Sequence, residues 1–301
     1  MGLTVVGSVA IDNIQTPIAK RDNILGGSAV YASYVASFFV PVQMVGVVGE
    51  DWLPEYTKLF QERGIDTEGL EIEKGGKTFR WAGRYLDNMN DRETLDTQLN
   101  VLGNFKPKLP ESYRQTKYLF LGNGAPSTGL EALSQIRGAD LVVADTMDLW
   151  INIARSDLDE LLRRIDGLVL NDSEARQLTG EISTLSAGRK ILETGVKFVV
   201  IKKGEHGAIF LSRDKLYVIP AFPTENVVDP TGAGDSFAGA MFAYIVAQNG
   251  KLDETTIKNA LVYGTLIASF CVEGFGLERL QKINPAEIES RLTKFKQITS
   301  F

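Results

Sequence analysis

Val227-Val228-Asp229-Pro230-Thr231-Gly232-Ala233-Gly234-Asp235-Ser236-Phe237 joins a strand-like segment to a helix through a glycine turn, and the rest of the chain is read outward from it. Upstream, Leu216-Tyr217-Val218-Ile219 has the composition of a strand. Downstream, residues 237–246 are apolar on nearly every face, as in a helix buried in the middle of a large protein. Such a helix turns its amino end inward, where free backbone N–H groups carry partial positive charge; Gly232 and Gly234 leave no side chain to block an anion. The turn is therefore a site for a phosphate. Asp235, at the same helix end, can accept a proton from a hydroxyl beside that phosphate, the pairing that phosphoryl transfer to an alcohol requires. A lone Gly-Asp would read more simply as a cap after a turn, so the argument rests on the whole string.

Two better-known nucleotide loops do not fit. A P-loop ending at Gly76-Lys77-Thr78 would need glycine at position 71, which is Glu71. A dinucleotide fingerprint counted from Gly232 would need Gly or Ala where Phe237 stands. Asp-Pro-Thr-Gly-Ala-Gly-Asp-Ser-Phe (229–237) instead resembles the signature of the ribokinase-like family of carbohydrate kinases, also called the PfkB family. The resemblance implies that the amides of Gly232, Ala233 and Gly234 form an anion hole and that Asp235 is the catalytic base. It also implies ATP as phosphoryl donor, with Thr231 beside the nucleotide.

With 44% hydrophobic and 23% charged residues, the 301-residue chain is an ordinary globular sequence, long enough for one large α/β domain and a small appendage. The net charge of −6 and the lack of a basic tract argue against a nucleic-acid partner. Cys271 is the one cysteine and lies in an apolar run, so core packing in a reducing compartment is expected. The one histidine, His206, has no second His or Cys nearby to make a zinc site. Residues 23–49 carry no charge, yet Gly26-Gly27, Pro41 and Gln43 interrupt them, and they read as turn, helix and buried strand rather than a membrane span. Val6 occupies the place of the Ser or Thr of a myristoylation signal, and no signal peptide precedes the first strand; a cytoplasmic protein is expected.

Along the chain, residues 3–10 read as a buried parallel strand that delivers Asp12 to its carboxyl end, the edge where ligands gather in open α/β sheets. Asp12 suits a hydroxyl of the acceptor, and an Asx turn accounts for it equally well. Gly26-Gly27 opens a helix over 28–39, a second amino end for the same cleft. The family has a Gly-Gly pair here followed by a sugar-contacting Asn. Tyr31 stands in that place, which departs from the pattern of a ribose binder.

Residues 42–48 read as strand and 53–62 as helix, after which the alternating rhythm stops. From 77 to 85, Phe79, Trp81 and Tyr85 alternate with Arg80 and Arg84, the pattern of a half-buried antiparallel strand. With 19–23, 70–73 and 94–101 it makes a small sheet. The resemblance implies a β lid over the acceptor, often paired with the lid of a second subunit as a homodimer; a functionless edge hairpin is the plainer reading. Arg80 would join Asp12, Gly26, Gly27, Tyr31 and Asn123 around the acceptor.

Strands then end on polar residues in one register: 118–123 on Asn123, 141–145 on Asp145 and 167–171 on Asn171. Asn171 and Glu174 lie one helical turn apart; a capping box explains them in isolation, and they match the family's Asn-x-x-Glu motif, which organises the water shell of a magnesium–phosphate group. Residues 198–201 and 208–211 are strands flanking Lys203-Gly204-Glu205-His206-Gly207, where the resemblance places Lys203, Gly204 and Gly207 beside ATP. In the helix over 256–272 it places Gly264 and Thr265 near adenine. The family often closes a monovalent-cation site with a Ser four places after the glycine equivalent to Gly276; Leu280 stands there, which argues against potassium activation.

The expected fold is a doubly wound, mainly parallel sheet flanked by helices, one domain over 1–301 with a lid from segments about 13–24 and 70–102. The expected function is ATP- and Mg2+-dependent phosphorylation of a hydroxyl, primary by preference, on a sugar or related polyol. A nucleoside kinase of the same family is the alternative, and a non-catalytic sugar-binding regulator the alternative of another class. A dinucleotide-dependent oxidoreductase lacks its glycine turn at Gly7-Ser8-Val9.

Overall fold

The computed structural model describes residues 2–300. In its first half the elements are β1 (Leu3–Val6), β2 (Ala10–Gln15), β3 (Lys20–Gly26), α1 (Ser28–Ala36), β4 (Val42–Gly49), α2 (Pro54–Glu62), β5 (Ile65–Glu73), β6 (Phe79–Tyr85), β7 (Arg92–Gln98), β8 (Tyr118–Leu121), α3 (Pro126–Gln135) and β9 (Leu141–Asp145). There follow α4 (Asp148–Ile153), α5 (Arg155–Leu162), β10 (Gly167–Asn171), α6 (Asp172–Thr179), α7 (Thr184–Leu192), β11 (Phe198–Lys202), β12 (Ala208–Ser212), β13 (Leu216–Ile219), α8 (Ala233–Ala247), α9 (Glu254–Cys271) and α10 (Pro285–Thr299).

Nine strands form the main sheet in the order β13-β12-β11-β10-β9-β8-β1-β4-β5, and all neighbours are parallel except β12 with β11 and β13. The central strands are apolar without alternation because helices cover both faces: β1, β8 and β9 are buried at every position. One face carries α1, α8 and α9 and the other α3, α5, α6 and α7, each over its own hydrophobic core. Helix α8 lies between α1 and α9. An added Cβ on Gly239 would fall 2.6 Å from Ala32 Cα of α1, and one on Gly264 of α9 would fall 2.9 Å from the Phe237 carbonyl, so backbones touch it on two sides. The strand order reverses between β1 and β8, which makes the carboxyl ends of those strands the ligand crevice of a doubly wound sheet.

A second sheet of four strands, β3-β2-β6-β7, stands beside that edge. Two sequence expectations change here. The apolar run 3–10 is two strands: β1 ends at Val6, the chain leaves the main sheet through Gly7, Ser8 and Val9, and Asp12 lies within the small sheet on β2. No switch in hydrophobic period marks that break. Residues 70–73 are not part of the small sheet; they end β5, paired in parallel with β4 through Glu73 opposite Gly49. The small sheet therefore begins at Ala10 and is built from 10–15, 20–26, 79–85 and 92–98.

Candidate active site

Helix α8 begins without a side-chain cap. Its N-cap, Gly232, has φ 75°, and an added Cβ there would lie within 2.4 Å of the Tyr31 ring, so both backbone and space demand glycine. Of the N–H groups at this turn, that of Ala233 donates to the Pro230 carbonyl (3.1 Å), while those of Gly232 and Gly234 remain open to an anion. Thr231 does not close them: its N–H goes to Asp229 Oδ1 (2.9 Å) and its hydroxyl to the Tyr85 hydroxyl (3.2 Å). Asp235 lies in the first turn, and its carboxyl is raised to about 7, first by burial and then by the charge of Asp145, against Lys202 and Arg92. A carboxylate that titrates near neutrality is suited to taking a proton from an alcohol.

Lys202, at the end of β11, approaches the same helix end: its Nζ would lie 3.1 Å from a Cβ on Gly234 and is 2.7 Å from Asp145 Oδ2. Burial works against its charge, but Asp145, Glu174 and Asp235 outweigh burial and keep it protonated. The lysine that the sequence singles out, Lys203, lies one residue on, at the start of the Gly204–His206 turn and away from this cluster. In a strand buried on both faces there is no alternation to tell the two apart.

The residues expected around the acceptor lie near the β1/β8 switch point. Ser28 Oγ accepts from Ser8 N–H (3.1 Å) and donates to the Asn123 carbonyl (2.8 Å), fastening the start of α1 across that gap. Gly27 (φ 101°) has the Ser8 carbonyl 2.4 Å from where its Cβ would be, and Gly26 has Asp12 Oδ2 at 2.0 Å. The Gly-Gly pair thus exists to let Asp12 and the first strand exit pass. Asp12 is buried, its Oδ1 has no hydrogen-bond partner, and burial, then Asp229 and Asp235, hold its pKa well above the ordinary carboxylate range. Asn123 Oδ1 accepts from Trp150 Nε1 at 3.0 Å, which fixes the indole beside the crevice at this switch point. That crevice, of about 100 Å³, is bordered by Ser8, Gly122, Gly124, Asp145 and Trp150. Sequence reasoning missed Trp150, which sits on the short α4 with no periodicity to single it out.

Two expected acceptor residues are otherwise engaged. Tyr31 is 1% exposed and spends its ring beneath Gly232. Arg80 is held by Asp51 Oδ2 (3.2 Å) and Asn23 Oδ1 (3.0 Å), and Asp51 in turn caps Thr78 N–H, so its guanidinium ties the small sheet to the β4 end. Trp81 and Tyr85 pack with Ile14, Ile24, Val228 and Phe275, which fastens the small sheet onto the 227–231 turn.

A larger cleft of about 520 Å³ is bordered by Gly234, Lys202, Gly204, Gly207, Thr265 and Ser269. Gly207 (φ 90°) would meet the Ile219 carbonyl with any Cβ, so this loop too requires glycine. Gly264 does not border the cleft; it is the contact point of α9 with α8. From the lid, Asn90 crosses to donate to Glu205 Oε1 at 3.1 Å. Asn171 and Glu174 form a complete capping box at α6: Glu174 N–H to Asn171 Oδ1 at 2.8 Å and Asn171 N–H to Glu174 Oε2 at 2.7 Å. Burial raises the Glu174 carboxyl to about 7. Among the described residues no group of three or more His, Cys, Asp or Glu is gathered for a metal ion, and Glu174 keeps one oxygen outside the capping box.

A doubly wound sheet with a crevice at its switch point, and an uncapped glycine turn that carries a buried carboxylate, has the parts that suit phosphoryl transfer to a small molecule. Residues 4–282 match the model of the pfkB family carbohydrate kinases, and the chain belongs to that family: it is an ATP-dependent kinase with an alcohol acceptor. Among its relatives, a cytidine kinase of Thermococcus kodakarensis is 28% identical over 249 residues, 81% of this chain and 88% of the relative. The nucleoside kinase structure of Methanocaldococcus jannaschii has a TM-score of 0.76 at 21% identity, covering 97% of this chain and 98% of that one. An E. coli protein assigned as ribokinase II, solved with ATP and Mg2+, has a TM-score of 0.78 at 20% identity, covering 97% and 99%. No helix among the described residues is long and apolar enough to cross a membrane.

Proposed function

We propose that the chain moves the γ-phosphoryl group of ATP to a primary hydroxyl of a nucleoside, with a sugar as the coarser reading of the same site. The observation that carries the chemistry is the open amino end of α8, with Asp235 on its first turn. Asp235 takes the hydroxyl proton; the freed oxygen bonds to phosphorus as the bond between phosphorus and the bridging oxygen breaks, and ADP leaves. The N–H groups of Gly232 and Gly234 and the ammonium of Lys202 bear on the charge of the transferring group, and the Ala233 N–H joins them by leaving the Pro230 carbonyl. Asp12, through its unpartnered Oδ1, accepts from hydroxyls of the acceptor.

Mg2+ fits this donor set in the way common for that ion, through water and phosphate oxygens, and would neutralise phosphate charge. Glu174 offers its free oxygen to the water shell. Asn171 already accepts from Glu174 N–H and Ser173 Oγ, so it orients Glu174. Leu280 is fully buried, and its side chain offers no oxygen to a monovalent ion. The lid closes the acceptor side, and its outer strand β7, exposed along its length, is the edge through which two copies would pair.

The nucleoside reading is supported by the cytidine kinase relative and by Trp150 and the glycine-lined crevice beside Asn123, which suit a planar base better than a bare pentose. ADP release measured with cytidine, adenosine, ribose and fructose tests it. We expect the better nucleoside to exceed ribose in kcat/KM by at least tenfold, about 1.4 kcal/mol of transition-state preference. Ribose as the best acceptor by that margin would refute the nucleoside reading while leaving the kinase chemistry standing.

A further inference from the structure

Helix α10 lies beyond residue 282, where the family match ends; it does not border the large cleft itself but packs behind two residues that do, Phe222 and Ser269. Its Arg291 is only 14% exposed and is held on every side. The guanidinium stands 3.5 Å above the Phe270 ring centroid and 4.9 Å from that of Phe222. One nitrogen donates to Ser269 Oγ (2.9 Å) and another to Glu273 Oε1 (2.7 Å). The second Glu273 oxygen takes Arg279 (3.1 Å), and Arg279 reaches Glu287 (2.9 Å), the residue that closes the capping box at the start of α10. The chain of bonds runs without a break from the α10 cap to Ser269.

Two groups at the end of this chain, Ser269 and Phe222, border the cleft. Phe222 sits in a segment, 220–226, that has no helix or strand of its own. Its ring is fixed instead by α10: Arg291 on one side, Lys294 at 5.8 Å, and Phe295 at 6.3 Å between ring centroids. Phosphates drawn to the α8 turn leave the rest of the cleft for the base of the nucleotide, and Phe222 is the aromatic ring on that remaining wall besides Phe237 of α8 itself.

We propose that Arg291 is a positioning residue for the nucleotide base: by bridging Ser269 and Glu273 and stacking between Phe270 and Phe222, it holds that wall in its binding shape, so that α10 sets nucleotide affinity without touching the reacting groups. The inference rests on the reading of this cleft as the ATP site. It calls for no change in the anion turn, in Asp235 or in the acceptor crevice.

The test is the dissociation constant for ADP, by titration calorimetry, of the wild type, Arg291→Ala, Arg291→Lys and Phe222→Leu, at a temperature where circular dichroism shows each folded. Binding of ADP to the wild type is the separate check on the cleft itself; without it the reading of the ATP site fails before this inference is reached. We expect Arg291→Ala to weaken ADP by about tenfold. Arg291→Lys, which keeps a cation over Phe270 but cannot bridge Ser269 and Glu273, should fall between. Phe222→Leu, which leaves the ion network whole, should weaken ADP as well, and it stands in for Arg291→Ala should that variant not fold. In turnover assays, KM for ATP should rise while kcat and KM for the acceptor stay within about twofold, as expected for loss of uniform binding. ADP affinity within twofold of wild type in the folded variants, or kcat falling in step with the rise in KM, would overturn the assignment and leave Arg291 a stability residue.

Discussion

Helices α6 and α8 start at the same edge of the main sheet and treat their amino ends in opposite ways. At α6, Asn171 and Glu174 exchange hydrogen bonds with each other's backbone and close the end completely. At α8, the N-cap is glycine, no side chain caps it, and the neighbouring Thr231 is engaged elsewhere. A good cap is worth about 1 kcal/mol over an apolar one, so a helix that omits it must be held by something else. For α8 that is packing: α1 and α9 approach at backbone distance, and Phe242 meets Phe120 of β8 at 6.2 Å between centroids. The closed end contributes to stability and the open end is left for a ligand. Lys202 links the two, being opposite Asn171 across β10 and β11 while reaching toward Gly234.

The largest effect should come from the open end. Asp235→Asn keeps the size of the side chain and removes only proton acceptance, and we expect kcat to fall by ~10² to 10⁴ with ADP affinity nearly intact. Retention of more than about a third of wild-type kcat would make Asp235 a helix-end residue like those of α6 and erase the distinction between the two ends.

A pH titration sharpens the same contrast. With the Asp235 carboxyl at about 7, the base is lost as pH falls through that value, so kcat should decline about tenfold per unit below it. Stability moves the other way. The folded value lies above the ordinary 3.8, so ionisation opposes folding: the penalty is absent below about 4, grows between about 4 and 7, and is constant above. Asp235→Asn should therefore melt higher than wild type at pH 8 and show no gain near pH 4. An equal shift in melting temperature at both pH values would mean that the carboxyl is not raised.

The open end was legible in the sequence because its features are local: two glycines, a carboxylate, and an apolar run too uniform for a surface helix. The main-sheet strands were legible for a related reason, since doubly buried strands are apolar runs that stop on Asp145 or Asn171. What was hidden depends on pairing between distant segments. Nothing local distinguishes 3–6 from 10–12, so Asp12 was assigned to the wrong sheet. Arg80 meets Asp51, and the residues that claim Tyr31 and Gly264 lie 201 and 27 positions away, at Gly232 and Phe237. A glycine in a helix reads the same whether it borders a ligand or another backbone.

The smallest effect concerns the closed end and asks whether a cap can also serve the metal. Glu174→Gln is the informative change because glutamine still accepts from Asn171 N–H and so preserves the capping box, while the charge disappears. Since burial holds the Glu174 carboxyl at about 7, well above its ordinary 4.5, the charge itself opposes folding above that pH, and removing it should not lower the melting temperature at pH 8. The Mg2+ concentration for half-maximal activity should nevertheless rise by about tenfold, as losses in the shell around a metal's ligands commonly do, and Asn171→Ala should shift it less while lowering stability through the lost cap. A melting temperature that falls with no change in Mg2+ dependence would reduce Glu174 to its hydrogen bond with Asn171, and α6 would then be a purely structural neighbour of the site.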